Sequence, residues 1–401
     1  MDRTPSIGGR IADARKGRGM TQRSLAHRAH VSLSLLRKVE QGARDATPAL
    51  VAATAKALGV DVTALTGQPY DQDGRRRDRI HALVPQLRQA LTYWDLPPDS
   101  PSPRTWQQLH TEAERVATLR RAAQHTMLAE MLPGLLMETT AAVHAADGRS
   151  RERLFRILTV LLFAAHSVTY KTGYEDLSTV VEDRMSWSAQ NSGDPFMGAL
   201  AAWARTTSML QAGSYGIGLR LLDRVQDELN LDGPAGATAL RISGPLHLRS
   251  AILAARSGNP DASGSHLKEA RKIASHLDDA DQDGGWHQLS FGPANVGIHE
   301  VAANVELGDG EAAVARATGL RLPRDLPQIR AAQHYVDLSR AQLWSGNRDG
   351  ALRSLYTARQ LAPQQTRHLP TTREVVRMLV RLHHRSNEPL AKLVSWIGPE
   401  V

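Results

Sequence analysis

Ser32, Ser34, Arg37 and Lys38 fall within seven residues of the stretch VSLSLLRKVE, the serines carrying a polar group on a short arm and Arg37 and Lys38 on a long one. Arg37 and Lys38 have the reach to bond O6 and N7 of a guanine, whereas Ser32 and Ser34 can serve either a base edge or a phosphate. Arg15, Arg23 and Arg44 lie on either side of them. Cations in that arrangement suit phosphate oxygens, contacts that set register rather than read sequence. Glu40 reads as structural, a hold on the helix end or on neighbouring backbone, because its charge would repel phosphate. The charge balance points the same way. Residues 1–80 hold 15 Lys/Arg against 8 Asp/Glu, a surplus of +7, while the whole 401-residue chain is only +8. Excess positive charge in one short segment is the footprint of a nucleic-acid-binding module.

Other chemistry is hard to build from this sequence. There is no HExxH, no phosphate-cradling Gly-rich loop followed by Lys, and no paired-carboxylate pattern in a helical context. With no cysteine there is no thiolate nucleophile, no disulfide and no Cys-based zinc site. The chain has 16 histidines, but His383 and His384 are adjacent on a helix and diverge. His287 and His299, twelve residues apart, lack acidic or cysteine companions. The stretch GNPDASGSHL reads as loop. The expectation is no catalytic residue, no metal and no cofactor. Apolar runs fall well short of a membrane span, and the N-terminus lacks a secretion signal's apolar segment, so a cytoplasmic chain away from membranes is expected.

The basic segment divides into five short helices. Gly17 and Gly19 stop the first, Thr21 caps QRSLAHRA, and Ser32 caps LSLLRKVE, whose buried positions are Leu33 or Leu35, Leu36 and Val39. Gly42 ends that helix, Thr47-Pro48 opens the next, Gly59 closes it, and a last turn covers 61–65. Two helices joined by a tight turn in such a set make a helix-turn-helix. The pattern Arg15, Gly19-Met20-Thr21-Gln22, Leu25-Ala26, Ala29, Val31-Ser32, Ser34, Val39-Glu40-Gln41-Gly42, Arg44, Pro48, Leu50 and Leu58-Gly59-Val60 closely resembles the XRE family, the phage-repressor/Cro type. The resemblance implies a reading helix in the major groove with its N-terminal half on the bases. It also implies that Gln22 meets a backbone phosphate and buttresses the reading helix. Asp45 departs from the pattern, standing where relatives prefer a basic or neutral residue.

Residues 68–104 are expected to be a linker carrying one connecting helix. Arg75, Arg76, Arg77 and Arg79 serve there equally as flanking phosphate contacts or as a solvated spacer, and Trp94 and Trp106 stitch the segment to the helical region beyond it. From 105 to 401 the pattern is helix, turn, helix. Hairpins turn near Gly173, Gly213, Gly258, Gly308 and Gly346, at gaps of 40, 45, 50 and 38 residues, and one more break is expected at Pro133-Gly134. Tyr335, Ser339, Gly346, Ala351, Leu355, Ala358 and Pro363 take tetratricopeptide offsets. One hairpin cannot bury its apolar face alone, so the hairpins are expected to stack into a right-handed array.

The fold class expected is therefore all-α: a five-helix repressor-type helix-turn-helix domain (1–67), then an α-solenoid of degenerate tetratricopeptide-like hairpins. With FGPANVGIH, VELGD and YVDLSRAQLWSGNRDGAL, the whole resembles a large group of actinobacterial (Streptomyces-like) transcriptional regulators. Having only seven lysines among its basic residues also suits a GC-rich genome. The resemblance implies a homodimer on a double-stranded DNA operator, with the repeat region dimerising and sensing a peptide, small molecule or protein. Polar and aromatic candidates for a concave effector surface are Trp203, Arg205, His247, Asn295, His299, Tyr335, Asp337 and Arg340. The alternative is a protein-interaction scaffold with a weak or auxiliary DNA-binding head.

Overall fold

The computed structural model describes residues 6–69, 79–97, 103–229, 231, 236–277, 289–382 and 387–398. The candidates Arg75, Arg76, Arg77, His287, His383 and His384 lie outside these residues. All regular elements among them are helices.

The head comprises α1 (Ile7–Gly17), α2 (Gln22–Arg28), α3 (Leu33–Glu40), α4 (Pro48–Leu58) and α5 (Val62–Thr66). Its caps follow the sequence logic. Thr21, Ser32 and Thr47 each accept the backbone N–H three residues on, satisfying a donor that no intrahelical carbonyl can reach. Gly59 closes α4 in the left-handed conformation at φ 62°. The core of the head is aliphatic, with Ile11, Leu25, Leu36, Val39, Leu50 and Leu65 buried together.

The next helix, α6 (Arg79–Thr92), is no free spacer. Its Ile80, Val84 and Leu87 are buried in the core of the body. Arg79 is largely exposed and pairs with Glu130 at 2.9 Å. Trp94 packs edge-on against Trp187, 5.0 Å between centroids, with Arg184 4.2 Å over its ring. Trp106 takes Arg153 on its face at 4.8 Å.

The body runs as antiparallel pairs: α7 (Trp106–Arg121) with α8 (His125–Ala145), α9 (Gly148–Thr172) with α10 (Glu175–Gln190), and α11 (Pro195–Gln211) with α12 (Tyr215–Glu228). They continue with α13 (Gly236–Arg256) and α14 (Pro260–Ala274), α15 (Pro293–Leu307) and α16 (Gly310–Thr318), and α17 (Gln328–Trp344) and α18 (Arg348–Leu361). Three short helices complete the chain: α19 (Pro363–His368), α20 (Pro370–Leu382) and α21 (Glu388–Ile397). The turns at Gly173, Gly213, Gly258, Gly308 and Gly346 all have φ between 68° and 87°, a region that glycine enters without steric cost. Within the last full pair Ser339, Ala351, Leu355 and Ala358 are sealed in the seam, and small Ser339 and Ala351 let the helices approach closely.

Three expectations need correcting. The break near 133 does not occur, since α8 runs unbroken through Pro133 and the turn lies at Ala122–Gln124. A mid-helix proline costs about 3 kcal/mol, but the helix buries Leu128, Leu132, Leu135 and Leu136, and that burial outweighs the loss. GNPDASGSHL is not loop throughout. Asn259 caps α14 by accepting the Ala262 N–H at 3.0 Å, and Pro260 occupies the first turn where its missing donor is harmless. Finally, α9 does contain an apolar window long enough to cross a membrane, but 83% of that window is buried inside the fold. It is the central core helix.

The odd-numbered helices α7, α9, α11, α13, α15 and α17 pack on one another in order and form the inner layer, with their partners outside. The array then closes. Ala123, Ala332 and Ala362 form one buried cluster joining the first pair to the last, and Gln364 accepts the Thr126 N–H at 3.0 Å. The head sits against this ring. Asp45 accepts a hydrogen bond from the Trp344 indole at 2.9 Å, Arg381 donates to the Gln41 carbonyl at 2.9 Å, and Gln68 donates to the His368 carbonyl at 3.1 Å.

Candidate nucleic-acid interface and interior cavity

On the head, α3 presents Ser34, Arg37 and Lys38 to solvent, while Leu36 and Val39 anchor its other side. Ser32 is exposed too, but its oxygen already accepts the Leu35 N–H at 3.1 Å, leaving the hydroxyl proton to donate. Arg23 and Arg44 are exposed on the flanks.

Arg15 and Gln22 behave differently. Arg15 Nε and Nη2 donate to the two Glu40 carboxylate oxygens at 2.7 and 2.9 Å, Nη1 donates to the Met20 carbonyl, and the residue is buried. Gln22 Nε2 also donates to Glu40, at 2.8 Å. Burial alone would raise the Glu40 pKa. The bonds from Arg15 and Gln22, with the charges of Arg15 and Lys16, outweigh it and hold the carboxyl below its ordinary value. Arg15 is therefore committed to a carboxylate that ties α1, α2 and α3 together, while half-buried Gln22 spends one of its two amide N–H groups on it and keeps the other. Arg15 could not turn outward without stranding a buried charge. Asp45, the departure from the family pattern, is likewise buried. It serves the Trp344 contact.

The second feature lies inside the ring: a cavity of about 280 Å³. Successive inner helices supply its wall, with Arg120 from α7, Lys171 from α9, Trp203 from α11, Arg249 from α13, His299 from α15 and Arg330 from α17. Ile7, Ala46, Val51 and Val62 of the head complete it. Arg120, Lys171, Arg249, Arg256, Arg330 and Arg340 oppose only three lining carboxylates, Glu175, Glu306 and Asp337, so positive charge is in excess. The carboxylates are also occupied or weakened. Glu306 binds Arg256 and Arg340 at 3.1 and 3.2 Å. Burial pushes Glu175 up to about 7 and Asp337 up to about 6.

Arg249 and Arg330 have no ion-pair partner among the described residues; both instead face the Trp203 ring, at 3.9 and 5.5 Å. Burial, and then repulsion from Arg330, brings Arg249 down to about 9, and burial brings Arg330 down to about 10. Lys171 falls to about 7 through burial and the charge of Arg330, although Asp337 opposes the fall. His299 is driven to about 3, chiefly by burial and then by Arg330. Its Nδ1 lies 2.7 Å from the Asn295 carbonyl, which fixes the proton on that nitrogen.

Of the eight effector candidates, the structure brings Trp203, His299, Asp337 and Arg340 to this cavity. The other four are not among its lining residues. Arg205 and Tyr335 stand two residues from Trp203 and Asp337, roughly 200° around a helix, so they point the other way. Arg205 is exposed, and the Tyr335 ring packs against His334 at 5.4 Å. Asn295 is buried at the start of α15, donating to the Ser290 carbonyl. His247 faces His266 at 3.1 Å, toward α14. Sequence reasoning missed Arg120, Lys171, Arg249 and Arg330. No motif marks them, because they meet only when the ring closes. An arginine or lysine on an otherwise apolar inner-helix face was the one available signal.

The helix-turn-helix family model matches residues 11–65. No curated protein and no solved structure matches the chain. The chain thus carries an N-terminal helix-turn-helix domain of the XRE/Cro type, followed by a region of paired helices in a solenoid-like array.

Proposed function

We propose that the protein is a sequence-specific DNA-binding transcriptional regulator, a binding protein rather than an enzyme, whose helical body senses an effector. The observation that carries this reading is the outward face of α3. Ser34, Arg37 and Lys38 stand free on a helix whose rear is locked by Leu36 and Val39 and whose N-terminus is capped by Ser32. A single head reads only a few base pairs, so two copies acting as a homodimer would place two such helices in successive major grooves, about 34–36 Å apart. Ser32, Ser34, Arg37 and Lys38 face the bases in this reading, and Arg23 and Arg44 the phosphates. The repeat ring, similar in its turn spacing to tetratricopeptide hairpins, would serve as sensor and dimerisation body.

The test is selection of bound duplexes from a randomised DNA library by the full chain, repeated with Arg37→Ala. A reproducible, two-fold-related sequence is expected, with its preference relaxed at one position in each half by the substitution. Retention of duplexes with no common sequence, or an Arg37→Ala profile identical to the wild type, would refute the reading.

A further inference from the structure

We infer that the ring cavity is a binding site for a small anionic ligand with a flat apolar part, its acid group (carboxylate or phosphate) seated between Arg249, Arg330 and Lys171 and its flat part beside Trp203 and Phe163. This deepens the reading of the body as a sensor and rests on it, but it can be tested without DNA.

An interior cation needs a carboxylate or it destabilises the fold. Arg256 and Arg340 have theirs in Glu306. Arg249 and Arg330 do not, and Lys171 has a neutral partner, the Gln333 side-chain oxygen at 3.2 Å. Nearby Glu182 does not relieve them, because it is taken by His166 at 3.0 Å and Ser208 at 2.8 Å. Asp337, whose charge favours the charged form of Lys171, is itself set against Arg340 at 3.8 Å and bonded by Gln333. Three cations therefore converge from α9, α13 and α17 on too few anionic charges, in an enclosure rather than at the surface. Their positions are held from behind, since each springs from a packed inner helix.

An anion placed among them would supply the missing charge and form charge-assisted hydrogen bonds in a site of low dielectric. The aromatic wall is also prepared. Trp203 meets Phe163 edge-on at 5.8 Å, and Phe163 carries Arg120 over its face at 4.5 Å. A volume of about 280 Å³ lies at the low end for ligand pockets, which suits a compact molecule and excludes a folded partner.

The cavity also touches the reading domain. Ile7, Ala46, Pro48, Val51 and Val62 form part of its wall. From the ring a chain of contacts leads to the head, with Arg340 5.1 Å from the centroid of Trp344 and Trp344 donating to Asp45. A ligand whose fit depends on the head's seat would bind the seated and unseated states with different affinity, which is the condition for control of DNA binding.

The experiment is isothermal titration of the full chain with 2-naphthoate, with 2-naphthyl phosphate, and with neutral 2-naphthamide as the isostere. The two anions distinguish carboxylate from phosphate preference. One saturable site per chain is expected for at least one anion, and the amide should bind at least about tenfold more weakly. Arg249→Met and Arg330→Met should each weaken the anion about tenfold or more and leave the amide within twofold, whereas Arg205→Met, on the outer surface, should change neither. Retained amide binding shows that a variant is folded, and Arg249→Lys, which keeps the charge, should recover part of the loss. Equal binding of anion and amide, anion binding untouched by both methionine variants, or no heat from any probe at millimolar concentration would each overturn the assignment. None of these results depends on whether the head selects an operator.

Discussion

Replacing Glu40 with Leu probes how the head is built. The substitution removes the common acceptor of Arg15 Nε, Arg15 Nη2 and Gln22 Nε2, whose bonds measure 2.7, 2.9 and 2.8 Å. The side chains of Arg15 and Glu40 are only 10% and 4% exposed, so water cannot take over the lost bonds without the domain opening. Breaking a buried pair from one side costs about 3–5 kcal/mol, because the remaining charge is stranded. A domain of about 60 residues has roughly 3–9 kcal/mol of stability in total. Glu40→Leu should therefore remove most of it. Hydrogen-exchange mass spectrometry on peptides from the head would show protection falling by a factor on the order of 10² to 10³, while peptides from the ring keep theirs. The double variant Arg15→Met/Glu40→Leu removes both charges and should recover at least half the loss.

The pair also predicts a pH dependence. The folded carboxyl lies below its unfolded value, so its contribution is present above the unfolded pKa of about 4.3 and is lost as pH falls through the folded pKa. A loss under about 1 kcal/mol in Glu40→Leu, or a double variant no better than the single, would refute the reasoning and make Arg15 a candidate phosphate contact again.

The same geometry sets three further outcomes. Arg44→Ala should weaken operator binding without altering base preference and should reduce the slope of log affinity against log salt by about 0.9; an unchanged slope would remove Arg44 from the phosphate contacts. Lys171 is lowered to about 7 from 10.5 when folded, so its charged form opposes folding below pH 7 and the penalty fades as pH rises from 7 towards 10.5. Lys171→Met should accordingly melt higher than wild type at pH 6.5 and lose most of that advantage by pH 9.5, and a constant difference across this range would contradict the assignment. Trp344→Phe leaves the buried Asp45 carboxylate without its indole donor, and should loosen the head's seat, seen as faster exchange in α4 with α9 unchanged. Equal exchange in both proteins would show that the seat does not depend on this bond.

Much of the head was legible in its sequence because its determinants are local. A cap binds three residues ahead, a glycine ends a helix at a fixed place, and α3 faces outward because Leu36 and Val39 must face in. Ser34, Arg37, Lys38, Arg23 and Arg44 are accordingly exposed as expected. The glycine turns of the hairpins are local in the same way, and five of them fall where their spacing placed them.

The features that the sequence could not reveal depend on partners far along the chain. Arg15 and Arg23 are the same residue type eight positions apart, but only Arg15 meets a carboxylate, 25 residues away. Asp45 acquires its role from Trp344, 299 residues on. Pro133 would end an isolated helix and is overruled by the burial around it. The cavity is the clearest case. Lys171, Arg249 and Arg330 are unremarked cations on three different helices, and nothing in their sequence spacing brings them together. Local propensity and capping determined the helices and the outward polar face of α3; the closing of the ring, a long-range packing event, decided which charges share an interior.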